Sequence, residues 1–492
     1  MTPQSPATMA NNKAGKDATL GPMDFSGLTS DSRKVGPGYL FAALSGSKTD
    51  GARFIGDAVA RGASAVLGVP SLAGVVASAG VRFIADENPR ARLAHMAATF
   101  YRAQPQSVAA VTGTKGKSSV VAFLREIWMA LGRPAASLGT VGVVGPKGAI
   151  PLHHTTPDPV EIHALLAQLA RDGVDHLAIE ASSHGLDQHR LDGVKIAAAG
   201  FTNITRDHMD YPPTFDAYLA AKLRLFAEVA GDGALAVVNA DAAHAGRFIA
   251  AAKARALRLM TVGETGEDIT LVARESLEGS QRLSIVHAGH TYNVTLPLAG
   301  AFQASNALVA AAIAIGLGDS AAKVFAALET LKGAPGRMEK VAFAASGAPI
   351  YVDYAHTPDS LEKVLEALRP HAAARLRLVF GCGGDRDKGK RPLMGAIASR
   401  LADDVIVTDD NPRTEDAAAI RAQILAEAPG AREIGDRARA IGAAIAALGK
   451  GDVLVIAGKG HETGQYVNGV THPFNDRDEA VAAAIGMGGR AA

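Results

Sequence analysis

Short apolar runs of strand length alternate with helix-length stretches along most of the chain, the pattern of parallel β-sheets joined by crossover helices. Near the start the runs are Leu40–Leu44, Ala63–Leu67 and Val81–Ala85, and Gln104-Pro105 then breaks the pattern where a linker is expected. Ser107–Val111 reads as a buried strand that opens into Gly113-Thr114-Lys115-Gly116-Lys117-Ser118-Ser119 and a helix from Val120 to Leu131, stopped by Gly132. Further strands are predicted at Leu177–Glu180, Ala198–Asn203 and Ala234–Asn239, and an Ala-rich helix over Ala301–Leu331 ends at Gly333-Ala334-Pro335-Gly336. After it, Ile350–Tyr354, Leu376–Phe380, Asp404–Thr408 and Val453–Ala457 alternate with helices as in a doubly wound nucleotide-binding fold. The pattern predicts an α/β chain: a disordered tail over 1–22, an N-terminal α/β domain over 23–105, a central P-loop-type, mostly parallel sheet domain over 106–336, and a Rossmann-like C-terminal domain over 337–492.

Length agrees, since 492 residues at about 150 per domain hold roughly three. The balance of 50 Lys+Arg against 49 Asp+Glu argues against a nucleic-acid groove or a polybasic membrane face, so any phosphate binding must be local. A 48% hydrophobic share supports sizeable cores, and the single Cys382 excludes an internal disulfide framework and fits a reducing cytoplasm. The opening residues lack the apolar stretch of a signal peptide, and no apolar run is long enough to span a membrane. A cytoplasmic protein that binds neither nucleic acid nor membrane is expected.

Candidate chemistry begins in the glycine-rich loop. Gly113 and Gly116 let backbone N–H groups approach a triphosphate, Lys117 supplies a point charge, and the Ser118 hydroxyl suits Mg²⁺. The pattern is a shortened P-loop, because Val111 stands where the full motif has its first glycine. A flexible Gly/Lys turn is the competing reading. Glu180, in Glu180-Ala181-Ser182-Ser183-His184-Gly185-Leu186, ends a predicted strand, where open α/β sheets bind ligands; it reads either as a magnesium ligand or as a solvated strand-end acid. Asn203-Ile204-Thr205-Arg206-Asp207-His208-Met209-Asp210-Tyr211 gathers His, Asp and Arg in one loop, and His208 gains weight as a ligand beside Ser118 and Glu180. Lys222 lies on an amphipathic helix with Leu219, Leu223 and Phe226, and its spacing alone favours a snorkelling surface lysine.

Taken in order, these motifs and the later Pro335-Gly336-Arg337-Met338-Glu339, Asp353-Tyr354-Ala355-His356-Thr357-Pro358, Gly383-Gly384-Asp385-Arg386 and Gly458-Lys459-Gly460-His461-Glu462 resemble those of the Mur ligases, ATP-dependent amide-forming enzymes of peptidoglycan precursor synthesis. The resemblance runs from about Thr29 to Gln465. It implies a member, expected to be a monomer, that acts on UDP-N-acetylmuramoyl-L-alanyl-D-glutamate, with ATP as co-substrate and Mg²⁺ as cofactor. It also implies ATP contacts at Gly113, Thr114, Lys115, Gly116, Lys117, Ser118, Ser119, Asn306 and Arg337. Lys117, Glu180, His208 and Lys222 are the implied catalytic set, with metal held by Ser118, Glu180, His208 and a carbamylated Lys222. For the nucleotide-sugar substrate the resemblance points to Ser32, His154, Thr155, Thr156, Ser182, Gln188 and Arg190. Lys115 and His154 depart from the family, which often has Asn at both positions.

Asp410-Asn411-Pro412-Arg413 is similar to the motif of members that add meso-2,6-diaminopimelate, and Arg386, Gly458 and Glu462 complete the implied amino-acid pocket. Diaminopimelate carries a second α-amino-acid head that lysine lacks, and a guanidinium pairs bidentately with its carboxylate. An unpaired Arg413 would penalise lysine. Two rivals remain: a folylpolyglutamate synthetase-like ligase, disfavoured by the first hundred residues and by Asp-Asn-Pro-Arg, and a P-loop module that only binds or hydrolyses ATP.

Overall fold

The computed structural model describes residues 24–46, 49–152, 154–205, 214–277 and 279–492. The chain forms two compact units: a smaller one up to Ala103 together with Pro159–Ala164, and a larger one of Gln104–Asp158 and Leu165–Ala492. In the smaller unit, strands Gly27–Thr29, Tyr39–Ala42, Ala63–Gly68 and Arg82–Ala85 pair in parallel in sequence order. Leu40, Ala42, Ala65 and Leu67 face one apolar cluster, Phe41 and Val66 the other, so this sheet is buried on both faces.

The larger unit holds two large sheets. The central sheet has eleven strands, with Ser107–Thr112 in its middle between His176–Glu180 and Ala198–Phe201, all parallel. The register sets Val111 beside Glu180 and Thr112 beside Phe201, so the loops after these three strands leave the sheet at one edge. The helix after the glycine loop spans Lys117–Ala130 and buries Phe123, Leu124, Ile127 and Trp128 against the Ala-rich helix Ala301–Gly316. Alanines at 304, 307, 310, 311 and 314 let the two backbones approach closely and leave that second helix apolar nearly all round.

The other sheet has seven strands, with Leu376–Phe380 and Val453–Ala457 at its centre, flanked by Asp404–Val407 and Pro349–Asp353 in parallel. Motif residues 354–358, 381–386, 408–413 and 458–462 therefore follow the carboxyl ends of four neighbouring strands.

The structure corrects two expectations. The single helix over Ala301–Leu331 is two, Ala301–Gly316 and Ala321–Leu328. Gly318, at φ +110, closes the first, with Gly318 N–H on the Ile315 carbonyl and Asp319 N–H on the Ala314 carbonyl. The central sheet also carries an antiparallel extension, Ile269–Leu277, Ser280–His287 and His290–Leu296, that the sequence reading lacked. No helix among the described residues is long and apolar enough to cross a membrane.

Candidate active site

The glycine loop is pinned by its neighbouring strand end. Asn203 accepts the Thr114 N–H on its carbonyl at 2.8 Å and the Lys115 N–H on Oδ1 at 3.1 Å, while Thr202 Oγ1 donates to the Lys115 carbonyl at 2.6 Å. Thr114 Oγ1 accepts from Tyr218 at 3.1 Å. These bonds engage the N–H groups of Thr114 and Lys115, which leaves anion binding to those of the N-cap Gly116 and of the first helical turn from Lys117, including Ser118 and the buried Ser119. Gly116 sits at φ +86, and a Cβ there would lie 2.3 Å from Asn306 Oδ1, so the buried Asn306 packs directly on the loop. Lys117 Nζ folds back onto the carbonyls of Gly113 at 2.9 Å and Thr114 at 3.0 Å. The Lys115 side chain leaves the loop and pairs with Asp359.

Lys222 is not a surface lysine. It is 1% exposed, its Nζ donates to the Gly113 carbonyl at 2.7 Å, and it lies 4.4 Å from the Tyr218 ring centre. Glu180 is not a solvated strand-end acid either, being 1% exposed. Its Oε1 accepts the Thr140 N–H at 2.8 Å and its Oε2 the Thr140 hydroxyl at 3.3 Å, and among the described residues no Lys or Arg pairs with it. A buried carboxylate held only by neutral donors calls for a cation. Ser118 and Glu180 line one cavity of about 20 Å³, room for a single water or small ion, whose wall also carries Arg125, turned onto Ser137 Oγ at 3.0 Å; Ser118 and Glu180 offer the hard oxygens that magnesium takes. The donor set therefore fits the metal. His208 lies outside the described residues.

Beside Glu180 a polar cluster gathers much of the implied nucleotide-sugar set. Thr156 Oγ1 donates to the Glu180 carbonyl at 2.8 Å and lies 3.0 Å from Ser182 Oγ. Thr155 meets Thr140 at 3.1 Å, and the Arg190 guanidinium donates to the Thr156 carbonyl at 2.6 Å and Gln188 Oε1 at 2.8 Å. His154 is exposed at the head of the segment. Ser32 lies in the smaller unit, buried, at the start of a short helix capped by Asp31.

The C-terminal loops assemble a second cluster. Asn411 Nδ2 donates to Glu462 Oε2 at 2.9 Å, Lys459 Nζ donates to Asn411 Oδ1 and Glu462 Oε2 at 3.0 Å each, and Gln465 donates to the Asp410 carbonyl at 2.7 Å. Gly458 sits at φ +121, and a Cβ there would lie 2.7 Å from Asp410 Oδ2. After the buried Pro412, Arg413 adopts φ +55, an uncommon conformation for a non-glycine residue, with its N–H on the Tyr466 carbonyl and its guanidinium on the Gly384 carbonyl. Arg386 is exposed and joins no hydrogen bond or ion pair among the described residues.

The sequence reading missed Thr140, Lys459 and the aromatic group around Arg337. Arg337 stacks 4.5 Å from the Tyr354 ring centre, and Tyr354 packs against His356 and His461 at 4.6 and 5.3 Å. Tyr354 and His356 lie within the motif Asp353–Pro358, and Lys459 and His461 within Gly458–Glu462, whereas nothing in the sequence marks Thr140.

Burial, reinforced by Arg337, lowers the His461 pKa from 6.5 to about 4, and burial lowers that of His356 as well. Between those values the unfolded chain takes up protons that the folded chain refuses. The contribution of His461 to stability is therefore fully present above pH 6.5 and is lost as pH drops toward 4. His461→Asn should flatten that slope in denaturant titrations run across this window, and an unchanged slope would exclude His461 as a source.

Comparison with known proteins agrees with this arrangement. Residues 24–101 match the model of the Mur ligase family catalytic domain, 111–314 the Mur ligase middle domain, and 336–460 the Mur ligase glutamate ligase domain. A protein of Bradyrhizobium diazoefficiens named UDP-N-acetylmuramoyl-L-alanyl-D-glutamate--2,6-diaminopimelate ligase is 57% identical over 479 residues, covering 96% of this chain and 98% of its own. A Caulobacter vibrioides protein of the same name is 53% identical, covering 94% and 96%. A solved structure of a ligase so named superposes with a TM-score of 0.71 at 35% identity, covering 94% and 95%. Folylpolyglutamate synthase of Mycobacterium tuberculosis shares the fold at 20% identity and a TM-score of 0.60, over 75% of this chain and 92% of its own. Matched domain by domain, and along nearly its whole length by relatives more than half identical to it, the chain belongs to the Mur ligase family.

Proposed function

We propose that the chain is an ADP-forming ligase that joins meso-2,6-diaminopimelate to the D-glutamate γ-carboxylate of UDP-N-acetylmuramoyl-L-alanyl-D-glutamate. The observation that carries this reading is the end-to-end similarity, at 57% identity, to a protein named for that reaction. The γ-carboxylate attacks the γ-phosphate of ATP to give an acyl phosphate and ADP; the amine of diaminopimelate then displaces phosphate to form the amide. The first step brings two anions together, so this chain's part is to neutralise charge and hold the reactants in line.

Lys117 serves the first step by leaving the Gly113 and Thr114 carbonyls for the phosphates, with the N–H groups of the helix start beneath them. Asn306 and Arg337 take the rest of the nucleotide. Magnesium, held by Ser118 and Glu180 and at a second position by His208 and a carbamylated Lys222, would supply further positive charge at the phosphates. Thr155, Thr156, Ser182, Gln188 and Arg190 receive the muramoyl peptide and Ser32 the uridine end. Glu462 receives the ammonium of diaminopimelate, and Arg413, with Arg386, its distal carboxylate. The domains divide near residues 105 and 336, and the protein acts in the cytoplasm as a monomer.

The test is ADP release by the purified chain with ATP and Mg²⁺. Release that requires both the UDP-muramoyl dipeptide and diaminopimelate, and falls at least tenfold with lysine instead, is the expected result. Release with ATP alone would mark a simple ATPase, and release with a folate and glutamate would mark the folylpolyglutamate reading.

A further inference from the structure

Lys459 is 0% exposed, and burying an ammonium group is unfavourable unless hydrogen-bond acceptors and an opposite charge meet it. Its partners are Asn411 Oδ1 and Glu462 Oε2, each at 3.0 Å. The same Asn411 oxygen accepts the Tyr466 N–H at 2.9 Å, and the Asn411 amide nitrogen donates to Glu462 Oε2 at 2.9 Å. Two donors face the oxygen and one acceptor faces the nitrogen, so the amide has one satisfied orientation. The ring of bonds spends Glu462 Oε2 twice. Among the described residues Glu462 Oε1 accepts nothing, and the side chain is 33% exposed.

We infer that Lys459 is a positioning and specificity-determining residue of the amino-acid pocket: it locks Asn411 and one oxygen of Glu462, and so presents the other oxygen alone to the incoming ammonium. This rests on the function proposed above. Lys459 also cancels the charge of Glu462, so the pocket offers an ammonium one oriented oxygen rather than a diffuse negative field. A bare amine gains little from such a site. A ligand whose second head brings a carboxylate for Arg413 gains more, and Arg413 is tied to the same frame through the Tyr466 carbonyl. Without Lys459 the pocket becomes one charge more negative, Glu462 turns freely, and the advantage of diaminopimelate over lysine shrinks.

The experiment measures kcat and KM for diaminopimelate, lysine and ATP with the full-length enzyme and Lys459→Met. The expected result is a KM for diaminopimelate raised about tenfold, a KM for ATP within twofold of the parent, and a diaminopimelate-to-lysine ratio of kcat/KM lowered at least fivefold. Lys459→Gln, which keeps a donor without the charge, gives the same readout should the methionine variant misfold. The double variant Lys459→Met/Glu462→Gln should be no worse than Glu462→Gln alone, because Lys459 acts through Glu462. Equal loss with both amino acids, a parallel rise in the KM for ATP, or additive losses in the double variant would each overturn the proposal. Failure of the parent enzyme to release ADP with diaminopimelate would instead overturn the proposed function.

Discussion

Lys222→Ala is expected to lower the rate of ADP release by 10²- to 10³-fold, the usual effect of deleting one preorganised charge at a transferring group, and to recover part of it when acetate or formate is added. The structure supplies the reason. Lys117 and Lys222 both donate to the Gly113 carbonyl, at 2.9 and 2.7 Å, so two ammonium groups crowd one oxygen at the start of the phosphate loop. The proposed carbamylation of Lys222 would relieve that repulsion: the nitrogen would keep one N–H for Gly113, and the new carboxylate would turn a like-charge neighbour of Lys117 into an attractive one. Lys222→Met separates charge from packing, since it fills the same space beside Tyr218 and should be as inactive as the alanine variant. Rescue by a carboxylate identifies the missing group as an acid. Rescue by methylamine instead would show that the ammonium itself is needed, and undiminished activity would remove Lys222 from the reaction.

Lys222 also shows where sequence reading stops. Its helix presents Leu219, Leu223 and Phe226 at regular spacing, and a lysine among them fits a solvated rim as well as a buried site. Only the packing of Tyr218 and the loop at Gly113 decides between them, and those contacts join residues about a hundred positions apart. Glu180 is ambiguous for the same reason: Thr140, which supplies both donors to its carboxylate, lies on another segment with no motif of its own. By contrast, strands such as Ser107–Thr112 and Val453–Ala457 were legible to within a residue, because a fully buried parallel strand writes itself as an unbroken apolar run. The antiparallel strands 280–287 and 290–296 carry a legible pattern too. Gln281, Leu283 and Ile285 alternate with outward residues, and Gly289, at φ +77, turns the hairpin. The split at Gly318-Asp319-Ser320 likewise carries an ordinary helix stop and start, hidden by the alanine-rich composition on both sides.

The largest stability effect is expected from Arg437→Met. Arg437 and Asp476 are both 0% exposed and pair bidentately at 2.7 Å through two bonds, while the guanidinium also donates to the carbonyls of Ala457 at 3.0 Å and Asp409 at 3.3 Å. Burial works against the charge, but Asp476 outweighs it and leaves Arg437 more firmly protonated than an ordinary arginine. The pair thereby ties together the ends of strands Asp404–Val407 and Val453–Ala457, from which the Asp-Asn-Pro-Arg and Gly-Lys-Gly-His-Glu loops emerge. Removing the cation alone strands a buried carboxylate and should cost about 3–5 kcal/mol, whereas Arg437→Met/Asp476→Leu, which removes both charges and keeps the volume, should regain most of that loss. The one tryptophan, Trp128, lies in the core of the central sheet, so the two sheets can be followed separately. Arg437→Met should shift the denaturant midpoint seen by circular dichroism to lower concentration and move the Trp128 fluorescence midpoint less. Coincident, unshifted transitions would mean that water or a rearranged side chain satisfies Asp476, and a double variant as unstable as the single one would place the loss in packing rather than in the stranded charge.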